Sequence, residues 1–166
     1  MTLKQLPRAM LVALVVATCI GCDQATKFLA KKYITPDAAF SFVGDLIRLQ
    51  YVENSGAFLS LGSSLPEHWR QLIFTVFVGV FLFGLMFYLL LGRDLSFNNI
   101  TCLSLICGGG LSNLIDRIAY DGRVVDFLNV GIGPLRTGIF NVADMAITAG
   151  AILLAIDGFR KTPEKS

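Results

Sequence analysis

Two aspartates have the surroundings that acid–base chemistry requires. Asp126 sits between Val125 and Phe127, and a carboxyl in apolar surroundings has its pKa raised toward the neutral range in which a general acid or base works. Asp144 closes the run Asn141-Val-Ala-Asp144. There Asn141 can cap a helix, placing Asp144 at N3, near the positive end of the helix dipole, where the ionised form is favoured. Together they could supply one protonated and one ionised carboxyl, the division of labour by which two aspartates activate water and protonate a leaving amine. Helix caps and salt bridges account for the same residues on local pattern alone.

Other chemistries are poorly supplied. His68 is the only histidine and reads, beside Trp69, as an interfacial anchor; Ser–His and Cys–His catalysis would both depend on it. There is no Gly-x-Ser-x-Gly elbow and no phosphate-binding glycine loop. Cys19, Cys22, Cys102 and Cys107 lie in or beside apolar runs and read as small packing residues. No Cys or His stands at a metal-ligand spacing from another, so no metal or cofactor is expected. A net charge of +2, with no basic cluster beyond Lys31-Lys32, sets aside nucleic-acid binding.

Further polar groups stand near apolar runs, where ionisable residues are costly and therefore candidates for function. Asp23 and Lys27 are four apart on one helix face, the spacing of an ion pair that could equally anchor a helix end. Asn54-Ser-Gly-Ala-Phe58 reads as a turn in which Gly56 can take positive φ. Asn113-Leu-Ile-Asp116-Arg117 opens a dense polar stretch that ends at Asp126. Arg117 is expected to pair with Asp116 or Asp23.

The elements that must position these groups are membrane helices. The 166 residues are 54% hydrophobic and 16% charged, with a mean hydropathy of +0.66, more apolar surface than a small soluble core could hide. Apolar runs at 9–22, 72–91, 100–115 and 145–156 alternate with charged stretches. The pattern predicts a mainly α, integral membrane protein of one domain over residues 1–166. Its four transmembrane helices are placed at about 8–32, 71–91, 97–115 and 141–157, the third interrupted at Gly108-Gly109-Gly110. Regions 33–69 and 116–140 fall on the outer face, and partial alternation over 39–61 predicts a small β-sheet or hairpin there.

Lys4, Arg8, Arg93, Arg160, Lys161 and Lys165 fall on one side, predicting cytoplasmic termini. Lys31, Lys32, Arg117, Arg123 and Arg136 run against this count. Residues 1–22 also look like a lipoprotein signal ending at Ile20-Gly21-Cys22. Cleavage there would leave three further apolar spans, and Cys19 stands where leucine is usual, so an uncleaved helix is expected. A small transporter or channel is the non-enzymatic alternative. It predicts polar residues through the depth of the helices, whereas spans two to four gather their acids at one face.

Five stretches, in order, resemble the lipoprotein signal peptidases (signal peptidase II), a family of aspartic membrane proteases. They are Asp23-Gln-Ala-Thr-Lys27, Asn54-Ser-Gly-Ala-Phe58, Gly108 through Arg117, Gly122-Arg-Val-Val-Asp126-Phe127 and Phe140-Asn141-Val-Ala-Asp144. The resemblance implies that Asp126 and Asp144 form the catalytic pair. It gives supporting roles to Asn54, Gly56, Asn113, Arg117 and Asn141, and a structural or substrate-adjacent role to Asp23 and Lys27. The substrates implied are diacylglyceryl-modified prolipoproteins, cleaved just before the lipidated cysteine. The setting implied is the bacterial inner membrane, with the enzyme in contact with membrane lipid and its active site near the outer, periplasmic face; apart from the resemblance, a monomer is expected. Ser112 stands where the family usually has glycine, the Asn54 box has one alanine where two are common, and Leu128 to Ile139 is rich in glycine (Gly131, Gly133, Gly138) and lacks the aromatics often found there.

Overall fold

The computed structural model describes residues 5–36, 38–56, 62, 64–93 and 95–161. Lys4 and Lys165 of the orientation count, and Ala57-Phe58 of the Asn54 box, lie outside the described residues.

Helix α1 (Gln5–Tyr33) runs unbroken through Cys22. Helix α2 (Glu67–Gln71) passes through a π-helical stretch, Leu72–Phe77, into α3 (Val78–Leu91). Helix α4 (Phe97–Ala119) begins at Ser96, whose Oγ accepts the Asn99 N–H at 3.2 Å, and α5 covers Val142–Lys161. Among the described residues, three helical segments, Pro7–Tyr33, Glu67–Leu91 and Val142–Arg160, are long and apolar enough to cross a membrane. Helix α4 is more polar for a physical reason. It packs against α1, α3 and α5, so Ser104, Ser112, Asn113, Asp116 and Arg117 are buried against protein. By contrast α3 exposes Val80, Phe81, Phe83 and Phe87, as a helix does when its solvent is lipid.

Gly108-Gly109-Gly110 does not interrupt α4; it lets three neighbours approach. Successive helical residues point about 100° apart, so each glycine faces a different helix. A Cβ on Gly108 would lie 2.8 Å from the Cys19 Cβ of α1, one on Gly109 2.5 Å from the Ala143 carbonyl oxygen of α5, and one on Gly110 2.6 Å from Leu82 Cδ2 of α3. Below this level, Val12, Val16, Leu89, Ile100 and Cys107 form a core. Arg8 ties the far end of α1 to α3, donating from Nε to Leu89 O (2.5 Å), from Nη1 to Gly92 O (2.5 Å) and from Nη2 to Tyr88 O (3.0 Å). The Leu89 and Gly92 carbonyls are of the kind that a helix C-terminus leaves without an intrahelical partner, whereas Tyr88 O also accepts the Gly92 N–H at 2.8 Å.

The predicted sheet is present and larger than residues 39–61. Its four antiparallel strands, in order β1 (Ala39–Phe42), β2 (Ile47–Asn54), β3 (Val124–Ile132) and β4 (Leu135–Arg136), include two from the later loop. The β1–β2 turn places Val43, Gly44 and Asp45 at φ of 53°, 61° and 70°. Phe127 of β3 packs with Ala30 of α1 and with Ile34 just beyond its end, seating the sheet on one end of the bundle. The cations that ran against the charge count are engaged there: Lys31 over the Tyr120 ring, Lys32 over Tyr33, Arg123 on Glu53, Arg136 on Asp45, and Arg117 buried.

Candidate active site

Strand β3 and the start of α5 bring Asp126 and Asp144 to one polar centre at the sheet end of the bundle. They are 2% and 7% exposed. Asn141 caps α5: its Oδ1 accepts the Asp144 N–H at 2.9 Å, while the Asn141 N–H reaches back to Asp144 Oδ2 at 3.3 Å. This reciprocal arrangement is a capping box. The same Asn141 donates from Nδ2 to Asp126 Oδ1 at 2.6 Å, so one fully buried residue reaches both carboxyls, Asp126 through its side-chain amide and Asp144 through its backbone N–H. The cap expected from Asn141-Val-Ala-Asp144 is therefore also a bridge to the other aspartate.

Asn113 of α4 serves the other side of Asp144, donating from Nδ2 to Asp144 Oδ1 at 3.0 Å. Its Oδ1 accepts from Asn141 Nδ2 at 3.1 Å and from Lys27 Nζ at 2.8 Å. Asn54, at the end of β2, donates to Asp126 Oδ2 at 2.9 Å, and its Oδ1 accepts the Gly56 N–H at 2.8 Å. Burial pushes the Asp126 carboxyl up to about 7; Asn54 and Asn141 act against this by donating to the carboxylate, and the Asp144 charge adds to it.

Lys27 is 3% exposed. Besides Asn113, its ammonium meets Asp23 Oδ2 at 2.6 Å and Asp116 Oδ2 at 2.9 Å, so three donors have three acceptors. Each carboxylate in turn holds a neighbouring element. Asp23 Oδ1 accepts the Ala143 N–H in the first turn of α5 (2.8 Å), and Asp116 Oδ2 accepts the Val125 N–H beside Asp126 (3.0 Å). The i,i+4 pair predicted on α1 thus fixes the backbone next to Asp144, and Asp116, bridged to it by Lys27, fixes the backbone next to Asp126.

The expected pairing of Arg117 is corrected. Lys27 occupies Asp23 and Asp116, and Arg117 donates from Nη2 to the Gly56 carbonyl at 3.1 Å with its guanidinium 5.8 Å from the Phe74 ring centroid. Sequence reasoning also missed Ser112, whose hydroxyl donates to Asp23 Oδ2 at 2.7 Å, and Gln24, which donates to Asp116 Oδ1 at 2.7 Å. The departure from glycine at 112 was a visible signal for the first, and adjacence to Asp23 the only one for the second. Among the described residues no group of three or more His, Cys, Asp or Glu is placed to hold a metal ion.

Two apolar clefts reach Asp144. One, of about 410 Å³, lies between Thr137, Phe140 and the Met145–Ile152 face of α5; the other, of about 420 Å³, is lined by Phe74, Val78, Arg117 and Ile147. A paired-carboxyl centre opening onto apolar grooves suits hydrolysis of a chain that is itself partly embedded in lipid.

Fold and site together define a multi-pass membrane enzyme with its polar centre at one end of the helix bundle. A solved structure described as a bacterial membrane enzyme superposes with a TM-score of 0.80 at 25% identity, over 93% of this chain and 91% of that one; a second shares the fold at a TM-score of 0.77 and 24% identity. Residues 15–160 match the family model described as signal peptidase (SPase) II, and the chain belongs to that family, as its five motifs implied. It is 33% identical to a lipoprotein signal peptidase of Syntrophus aciditrophicus over 87% of this chain and 89% of the relative. It is 39% identical to one of Caldanaerobacter subterraneus over 84% and 90%. The family's work is that of a protease in lipoprotein processing, which sets the channel alternative aside.

Proposed function

We propose that this chain is an aspartic endopeptidase that removes the signal peptide from diacylglyceryl-modified prolipoproteins, cutting just before the lipidated cysteine, with Asp126 and Asp144 as its dyad. The observation that carries this reading is the fully buried Asn141, which donates from its side-chain amide to the Asp126 carboxyl and from its backbone N–H to the Asp144 carboxyl. Two carboxyls held so cannot both ionise readily, and they titrate as a pair. Asp144 receives Asn113 Nδ2 and the Asn141 N–H, donors that suit a carboxylate, and it takes a proton from the attacking water. Asp126, protonated near neutral pH, polarises the scissile carbonyl and then hands its proton to the leaving amine. Asn54, Asn113 and Asn141 orient the two carboxyls, Arg117 holds the Gly56 carbonyl, and Asp23 and Asp116, bridged by Lys27, fix the backbone beside them.

In this reading α4 is a fourth span, at about 1.5 Å per residue long enough to cross, its polarity masked by α1, α3 and α5. The chain is one domain and a monomer in the bacterial inner membrane, with cytoplasmic termini, the sheet and site at the periplasmic face, and the apolar clefts open to lipid. The test is cleavage of a diacylglyceryl-modified peptide by purified protein. Asp126→Asn and Asp144→Asn should each lower turnover by roughly three orders of magnitude or more, as loss of a member of a catalytic unit does, while both variants remain folded. Turnover near the parent's by either variant would sink the dyad.

A further inference from the structure

Leu128 to Ile139, one of the segments that depart from the family's pattern, is held by a polar chain that starts on the opposite hairpin. Asp45, at the β1–β2 turn, presents its carbonyl to Arg136 Nη1 at 2.8 Å and its Oδ2 at 3.4 Å. Arg136 Nη1 also donates to Gly131 O at 3.3 Å, and Nε donates to Asn129 Oδ1 at 2.5 Å. Asn129, 7% exposed, then donates from Nδ2 to the Thr137 carbonyl at 2.5 Å. Thr137 stands with Phe140 in the wall of the cleft that reaches Asp144. Arg136 and Asn129 form this clamp, and the hydrogen bonds of their side chains go to neither Asp126 nor Asp144.

The close approach has no slack. A Cβ on Gly131 would come within 2.4 Å of Arg136 Cα and of the Leu135 carbonyl oxygen, so glycine there is what lets β4 fold onto β3. The two-residue strand β4 has only the pairs Gly131–Arg136 and Ile132–Leu135 in its ladder. A ladder that short is marginal by itself. Beyond the ladder Thr137 pairs with Val130, donating its N–H to Val130 O at 2.8 Å and accepting the Val130 N–H on Oγ1 at 3.0 Å, and the side chain of Arg136, 11% exposed, adds a link from β4 to β3 and to the β1–β2 turn at once. Its planar fork suits several acceptors held in fixed directions.

We infer that Arg136 is a positioning residue: through Asn129 it fixes the Thr137 wall of the apolar cleft beside Asp144, and so sets how tightly the apolar part of the substrate is held. The inference rests on the peptidase reading above. A wall that is already ordered spares the substrate the entropy of ordering it. Without the clamp the bound substrate still reaches the dyad, so the loss falls on KM and not on kcat.

The experiment compares the parent chain with Arg136→Gln, Asn129→Ala and the double variant in detergent micelles. It measures kcat and KM on a diacylglyceryl-modified peptide, the Kd of that peptide by fluorescence anisotropy, and the melting temperature. Each single variant should raise KM and Kd about 5- to 20-fold with kcat within about twofold, and the double variant should be no worse than the weaker single, because both break one chain of contacts. If one variant fails to fold, the other carries the same test. Unchanged KM and Kd in folded variants would overturn the inference, as would a fall in kcat alone, which would place the effect at the dyad. Additive effects would break the chain from Arg136 to Asn129. Failure of the parent to cleave the peptide would count against the peptidase reading, whereas the Kd comparison would still decide the role of Arg136.

Discussion

Lys27 Nζ lies 2.8 Å from Asn113 Oδ1, and the other end of that amide donates to Asp144 at 3.0 Å. A buried cation is thereby one side chain away from a carboxyl of the proposed dyad. The ammonium fixes which end of Asn113 faces Asp144, since only the oxygen can accept from Lys27 and only the amide nitrogen can donate to the carboxylate.

Replacement of Lys27 by methionine should destabilise the protein strongly. It leaves Asp23 and Asp116, 0% and 1% exposed, buried without their cation, a loss of roughly 3–5 kcal/mol for a broken buried pair. The triple variant Lys27→Met, Asp23→Asn, Asp116→Asn should recover much of that stability. Thermal unfolding in detergent measures both, and a Lys27→Met protein as stable as the parent would contradict the account.

Asn141 separates capping from bridging. Asn141→Ala should cost about 1–2 kcal/mol from the lost cap and lower kcat about a hundredfold or more, the scale expected when an orienting donor is lost. Asn141→Ser retains a capping oxygen but not the reach to Asp126 Oδ1. Melting should therefore improve from alanine to serine while cleavage stays low; parallel recovery of both would show that the cap alone matters.

Gly109→Ala tests the approach of α5 to α4. The added Cβ would meet the Ala143 carbonyl at 2.5 Å and Ile147 Cγ1 at 2.8 Å; backbone cannot swing aside, so the start of α5, with Asp144, must shift. Overpacking of this kind costs about 1–3 kcal/mol, and cleavage should fall with it. Gly21→Ala, with nothing within 4 Å of the new Cβ, should leave both unchanged and serves as the control.

The raised Asp126 carboxyl predicts a pH dependence of defined sign. From its ordinary value of 3.8 up to about 7, the folded chain keeps a proton that the unfolded chain releases. This group's contribution to stability should therefore fall as pH rises through that window, and level off on either side. Asp126→Asn should lack this fall, so that the difference in stability between variant and parent changes across the window and is constant outside it. In the parent, kcat/KM should decline above about pH 7 as the general acid loses its proton. A rate still rising well beyond pH 8 would assign the acid elsewhere.

Much of the architecture was legible because it is local. Uncharged runs of adequate length mark α1, α3 and α5, and Asn141 with Asp144 at N3 is a cap written within four residues. The five motifs also named the family. Helix α4 was found by its apolar residues, yet its polar face made sense only once three other helices covered it. The sheet was half visible: β1 and β2 showed alternation, whereas β3 carries Asp126 between buried neighbours on both faces and reads as a polar loop with apolar islands.

What the tertiary structure alone decided is which polar groups meet. The sequence by itself determined the residue types, their helix-end positions and the i,i+4 spacing of Asp23 and Lys27. It could not show that Asp116 would join Lys27 and leave Arg117 to the Gly56 carbonyl, nor that Asn141 would span both aspartates. Helix caps and spans arise from contacts among residues a few positions apart, whose geometry the backbone fixes. The partners of Lys27, Asn113 and Asn141 come from separate elements, and buried charges and amides take whichever acceptors the packing of those elements leaves within reach.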